Sequence, residues 1–140
     1  PPAKLYVLTA AVAAAGVIAL ASQGEELLRR IPDELVGWQV PPVSACLFGS
    51  AARGSAQLDS DLDILLVTDL HDARRESEWQ HQVDRLTEQV QAWSGNACEV
   101  LELSRDDLAA AAARDDRLVR ELRADAIPLG GRDIRLRLAP

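Results

Sequence analysis

Hydrophobic positions change rhythm along this chain, and the changes mark its elements. From Thr9 to about Arg30, Val12, Val17, Leu20, Leu27 and Leu28 recur at helical spacing. Ile31-Pro32 is expected to end or kink that helix, and "KLYVL" before it reads as a short strand. Pro41-Pro42 marks a turn, after which the unbroken apolar run "VSACLF" predicts a buried strand. "DLDILLV" predicts a second strand, apolar on both faces in its C-terminal half, as in the middle of a covered sheet. Ser77 to about Trp93 carries Trp79, Val83, Leu86, Val90 and Trp93 at helical spacing, and "SGN" breaks it. "ACEVLEL" predicts a third strand. Ser104 followed by Asp107 signals the start of a helix through the alanines, and Arg117 to Ala124 continues helically. "IPLGGRDIRLRL" reads as a short strand, a glycine turn and a basic tail. The expected fold is α/β (α+β), a small mixed β-sheet flanked by helices.

Composition narrows this picture. A chain of 140 residues suits one domain over 1–140 with a real core. Within it we expect an N-terminal helix about 9–31, a core about 43–104, and C-terminal helices and a short strand over 105–140. Aromatics make up only 4%, so the core must be aliphatic. The net charge of -7 argues against direct nucleic-acid binding and suits a site that recruits cations. Cys46 and Cys98 lie in apolar segments without metal-ligand spacing, and are expected to be buried, reduced thiols. Leu5 to Ala21 has Thr9 as its one polar residue and imitates a signal or marginal span. Its alanine richness and its continuation into "SQGEELLRR" favour a packed helix instead, so no membrane contact and a cytoplasmic location are expected. The sequence contains no methionine, which sets the expectation of a further segment upstream.

The chemistry concentrates in "LFGSAARGSAQLDSDLDILLV". Asp61 and Asp63 are two apart on a strand, so both leave the same face. Carboxylates that close repel unless a cation lies between them, which makes the pair a natural ligand set for Mg²⁺. Gly49-Ser50 turns the chain after a strand. Backbone N–H groups and a hydroxyl at such a turn suit phosphate oxygens, and glycine permits close approach. Arg53, one helical turn on, can add a charge-assisted contact. A phosphate cradle and a metal pair joined by one loop imply metal-assisted chemistry on a nucleoside triphosphate.

"GSAARGSAQLDSDLD" resembles the signature of the DNA polymerase beta-like nucleotidyltransferase superfamily, Gly-Ser followed at about ten residues by Asp-x-Asp. The Arg-Gly in the loop and the Ser-Asp before Asp63 are similar to its minimal nucleotidyltransferase (MNT-type) branch. The resemblance implies transfer of a nucleoside monophosphate, AMP from ATP, to an acceptor hydroxyl with release of pyrophosphate. It implies Gly49, Ser50, Arg53 and Ser60 at the nucleotide, and Asp61 and Asp63 on two Mg²⁺ ions, with Mn²⁺ as a substitute. A third carboxylate on a later strand completes such sites. Glu99 and Glu102 are the candidates and point to opposite faces. Glu99 precedes Val100-Leu101, where the family has its carboxylate, usually aspartate.

Asp59 reads as a loop residue, Ser60 as shaping the turn, and His71 and His81 as exposed. The arginines of "GRDIRLRL" are secondary candidates for contact with a nucleotide or partner. The resemblance leaves the acceptor open: a protein partner such as a toxin, or a small molecule. An upstream winged-helix domain and oligomerisation through the N-terminal helix are further arrangements it allows. The alternative is a nucleotide-binding or partner-binding module without a working third carboxylate.

Overall fold

The computed structural model describes residues 24–54 and 60–139. The expected entering strand, the first part of the N-terminal helix and Asp59 lie outside the described residues.

Helix α1 covers residues 24–36 and runs through Pro32, beyond the expected end near residue 31. Proline removes one intrahelical hydrogen bond. Leu27, Ile31 and Leu35 are buried on both sides of it, so packing outweighs the lost bond. The chain then forms β1 (Ser44–Phe48), α2 (Gly49–Ala52), β2 (Leu62–Thr68), α3 (Ala73–Ser94) and β3 (Cys98–Ser104). After these come α4 (Arg105–Arg114), α5 (Arg117–Asp125), β4 (Ile127–Gly131) and α6 (Ile134–Arg137).

The four strands form one sheet in the order β3-β2-β1-β4. β1 runs antiparallel to β2 and β4, and β2 runs parallel to β3, so the sheet is mixed as expected. Strand alternation divides the core in two. Leu62, Ile64 and Leu66 pack with Leu27, Ile31 and Leu35 of α1 and with Trp79, Val83, Leu86 and Val90 of α3. Leu65 and Val67 of the same strand, with Cys46 of β1, pack with Leu108, Val119, Leu122 and Ile134 of α4, α5 and α6.

Local chemistry sets the helix ends. Asp72 accepts from the Arg74 amide at 2.9 Å and starts α3 at Ala73, four residues before the expected Ser77. Gly95, in the left-handed region at φ 73°, ends that helix. Between its ends, each fully buried side chain contributes about 1.5–3 kcal/mol. Gln82, also buried, accepts from the Val40 amide at 3.1 Å and donates to the Val40 carbonyl at 2.8 Å, so no polar atom of its amide is stranded. Ser104 accepts from the Asp107 amide at 3.0 Å and starts α4, as its sequence signature predicts. The basic tail is not extended. Asp133 caps α6, and Ile134 and Leu138 are buried beneath it.

Candidate functional site

The site assembles where β1 ends and β2 and β3 begin. Phe48, the last residue of β1, lies opposite Asp63 in the antiparallel register. Gly49 follows with φ +73°, and a side chain there would meet the Asp63 carboxylate, whose Oδ2 lies 2.4 Å from an ideal Cβ position. Two demands therefore select glycine: a left-handed backbone and space for Asp63. The turn leads into α2, whose C-terminal cap is Arg53; the Arg53 amide donates to the Gly49 carbonyl at 3.2 Å.

β2 and β3 bring the carboxylates together. Asp63 pairs with Glu99 in the parallel register, so the two side chains leave neighbouring strands on one face, with backbones about 4.8 Å apart. Asp61 immediately precedes β2 and shares the parity of Asp63. Partial burial raises the Asp63 carboxyl above its ordinary value; the negative charges of Glu99 and Asp61 push the same way, and Arg53 pulls against them. Sequence separation hides this arrangement. Residues 53, 61 and 99 all act on Asp63.

The structure separates the two candidate glutamates. Glu102 lies on the opposite face, where Oε1 accepts from the Trp79 indole N–H at 2.5 Å and from Gln80 Nε2 at 3.2 Å. Glu102 is itself exposed, and these two hydrogen bonds tie it to α3. Glu99 is exposed on the face of Asp63. Leu101, two residues further and of the same parity, is 37% exposed.

The donor set consists of hard oxygens at mutually repelling charges, which a divalent cation would relieve. Among the described residues no group of three or more His, Cys, Asp or Glu side chains is gathered tightly enough to hold an ion alone. Mg²⁺ in general keeps several waters and binds through one or two carboxylates together with substrate phosphates.

The remaining candidates fall elsewhere or play other parts. Ser50 is the second residue of α2, Ser60 leads into Asp61, and each is engaged within the chain. His71 is exposed beyond the far end of β2, 3.0 Å from Asp69, and His81 is exposed on α3. Arg132 and Arg137 lie near Val43 and Ser44, at the opposite end of β1 from Gly49. Cys46 and Cys98 are free and buried. Burial lifts the Cys46 thiol to about 12; burial, with Asp63 and Glu99 nearby, lifts Cys98 to about 11. Neither is a thiolate at neutral pH. Among the described residues no helix is long and apolar enough to cross a membrane.

Fold and site together define a class: a small mixed α/β domain with carboxylates grouped at strand ends beside a glycine turn. Comparison with known proteins is more specific. The chain belongs to the nucleotidyltransferase domain family, whose model matches residues 28–121. Among solved structures it is similar to a toxin-antitoxin crystal structure with AMP-PNP, at TM-score 0.51 and 19% identity, over 79% of this chain and 80% of that one. That likeness is one of fold. No curated protein sequence matches significantly.

Proposed function

We propose that this protein transfers a nucleoside monophosphate, AMP from ATP, to a hydroxyl on a protein or small-molecule acceptor. The observation that carries the reading is the register of Asp63 with Glu99 beside the Gly49 turn. A third carboxylate on the face of the aspartate pair is what a transferase needs and a mere nucleotide binder does not. The AMP-PNP of the similar structure supports an adenine nucleotide, and its toxin-antitoxin pairing supports a protein partner.

Backbone N–H groups at Gly49-Ser50 hold the distal phosphates, and the glycine lets them approach closely. The Arg53 guanidinium, whose charge acts on Asp63, adds a contact to a phosphate oxygen. Asp61, Asp63 and Glu99 are the residues that would hold divalent ions such as Mg²⁺, which would supply charge neutralisation for the pyrophosphate and a lowered pKa for the acceptor hydroxyl. Glu99, exposed at the edge of the site, faces the incoming acceptor and receives its proton. The acceptor oxygen bonds to the α-phosphorus, the bond to the bridging oxygen breaks, and pyrophosphate leaves. Exposed Leu101 offers an apolar contact on the acceptor side. Catalysis rests on position and charge.

The test is label transfer. The protein is incubated with Mg²⁺ or Mn²⁺, each of four α-labelled nucleoside triphosphates and a cell lysate, beside Asp63→Ala. A labelled acceptor that disappears with the variant supports the reading and reveals the base and acceptor class. Metal-dependent nucleotide binding without transfer would favour the binding-module alternative.

A further inference from the structure

At the end of the sheet away from Gly49, α4 and α6 leave a groove of about 280 Å³. Its walls bring together Arg105, Arg132 and Arg137 from three separate segments, over an apolar floor of Leu108, Ala112 and Leu138. Arg105 lies six residue steps along the chain from Glu99, a distance of roughly 20 Å at the rise of an extended chain. The groove is therefore distinct from the carboxylate site.

Its charge is unusual for a chain of net charge -7. Arg137 is half-buried and held by neutral acceptors: it donates from Nε to Ser44 Oγ, and from Nη2 to the Val43 carbonyl at 2.9 Å. Ser44 Oγ in turn donates to the Arg132 carbonyl at 2.5 Å, which ties the β4–α6 turn to the same point. Arg105 and Arg132 repel Arg137, whose proton is held less tightly than usual because of burial and these two neighbours, with Asp69 opposing. Asp69 is itself engaged by Arg105 at 3.3 Å and His71 at 3.0 Å. Asp69 thus pairs with Arg105 and acts on Arg137 from a distance. Beside them Leu136 is 60% exposed, an apolar rim on a cationic groove.

We infer that this groove is an anion site for a small organic acid, whose carboxylate or phosphate group sits among Arg105, Arg132 and Arg137 while a short apolar body lies on Leu108 and Leu138. Guanidinium forks match both head groups. The volume is below the range of drug-sized pockets, so it admits a head group and a few carbons, not a nucleotide. A fixed cationic wall against an apolar floor also rejects neutral and cationic molecules of equal size.

The test is NMR titration of arginine Nε–H signals with hexanoate, hexyl phosphate, inorganic phosphate, hexanol and hexylammonium. Arg132 and Arg137 should shift saturably with the anions, about tenfold tighter for the hexyl compounds than for inorganic phosphate, as a few buried methylenes provide. The tighter hexyl anion identifies the head group. Arg132→Gln should weaken binding about tenfold, the loss of one charge-assisted hydrogen bond, with other signals unmoved. This variant avoids the structural bonds of Arg137. Shifts confined to Arg53 would report phosphate at the other site and overturn the inference. Equal binding of hexanol or hexylammonium, or an unchanged affinity in Arg132→Gln, would overturn it as well.

Discussion

Glu99 and Glu102 lie on one strand, three residues apart, and have opposite fates. Glu102 faces α3, where the Trp79 indole and Gln80 occupy it. Glu99 faces the other way, level with Asp63 and open to solvent. Strand parity alone sends the two carboxylates to opposite faces of the sheet. The comparison extends to the whole sheet. The α1–α3 face is sealed by large side chains, including Trp38 edge-on to Trp79 at 5.6 Å. The other face is covered by α4, α5 and α6 over the far part of the strands, which leaves the start of β2 and β3 accessible.

The largest effect tests whether the open face is the reactive one. Asp63→Ala should lower nucleotidyl transfer by about a thousandfold or more, the loss of several kcal/mol of transition-state charge stabilisation. Its circular dichroism and thermal melt should stay native. Substantial transfer by this variant would remove Asp63 from the site.

The two glutamates then give a crossed pair. Glu99→Gln should cut transfer by about a hundredfold or more while leaving the melting temperature near wild type. Glu102→Ala should do the reverse. It strands the Trp79 N–H, a residue 1% exposed, at a cost of about 1–3 kcal/mol of stability, and leaves turnover by the folded fraction nearly unchanged. Urea unfolding and initial rates measured on the same samples separate the outcomes. If Glu102→Ala is the variant that loses transfer, the face assignment is wrong.

Gly49→Ala probes the contact between turn and carboxylate. The new methyl meets Asp63 Oδ2 and the backbone is held at φ +73°. Displacement of Asp63 by an ångström should reduce transfer by about a hundredfold, with a stability loss of about 1–3 kcal/mol. Gly54→Ala is the control: it has φ +71° but open space around its Cβ, so it should show the strain without the loss of transfer.

How much of this was legible beforehand follows from where each signal lives. β1, β2, β3 and most of α3 declare themselves through apolar period, and the Ser104 cap through its Asp107 partner. The Gly-Ser and Asp-x-Asp pattern is local and was readable as chemistry. The family resemblance singles out Glu99 over Glu102; its parallel register with Asp63 is what period alone does not supply. The first turn of α3, "ARRE", has no apolar rhythm, so its start was invisible until the Asp72 cap was seen. α6 was hidden for a similar reason: a four-residue helix is too short for periodicity, and only burial of Ile134 and Leu138 fixes it. The arginine groove draws Arg105 and Arg132 from positions 27 residues apart, a juxtaposition that tertiary packing alone creates.

The smallest effect sharpens the comparison most, because it tests whether the charged form of Asp63 is disfavoured, by burial first and by Glu99 and Asp61 next, before any nucleotide binds. Partial burial, with Glu99 and Asp61, raises the Asp63 carboxyl above its ordinary 3.8 in the folded chain. The folded state therefore holds that proton more tightly than the unfolded state. Below 3.8 the group is neutral in both states and no penalty arises; as pH rises through the raised folded value, the contribution of the neutral form is lost. Asp63→Asn stays neutral throughout. In chelator, it should therefore melt above wild type at neutral pH, and the difference should shrink towards zero as pH falls below the ordinary value. Added Mg²⁺ and a non-hydrolysable nucleotide should reverse the order by stabilising wild type alone. Calorimetry across pH, with and without the metal, reads all three arms. A variant less stable than wild type at neutral pH in chelator would mean that Asp63 is stabilised by its surroundings, and that the open face carries no group of carboxylates awaiting a cation.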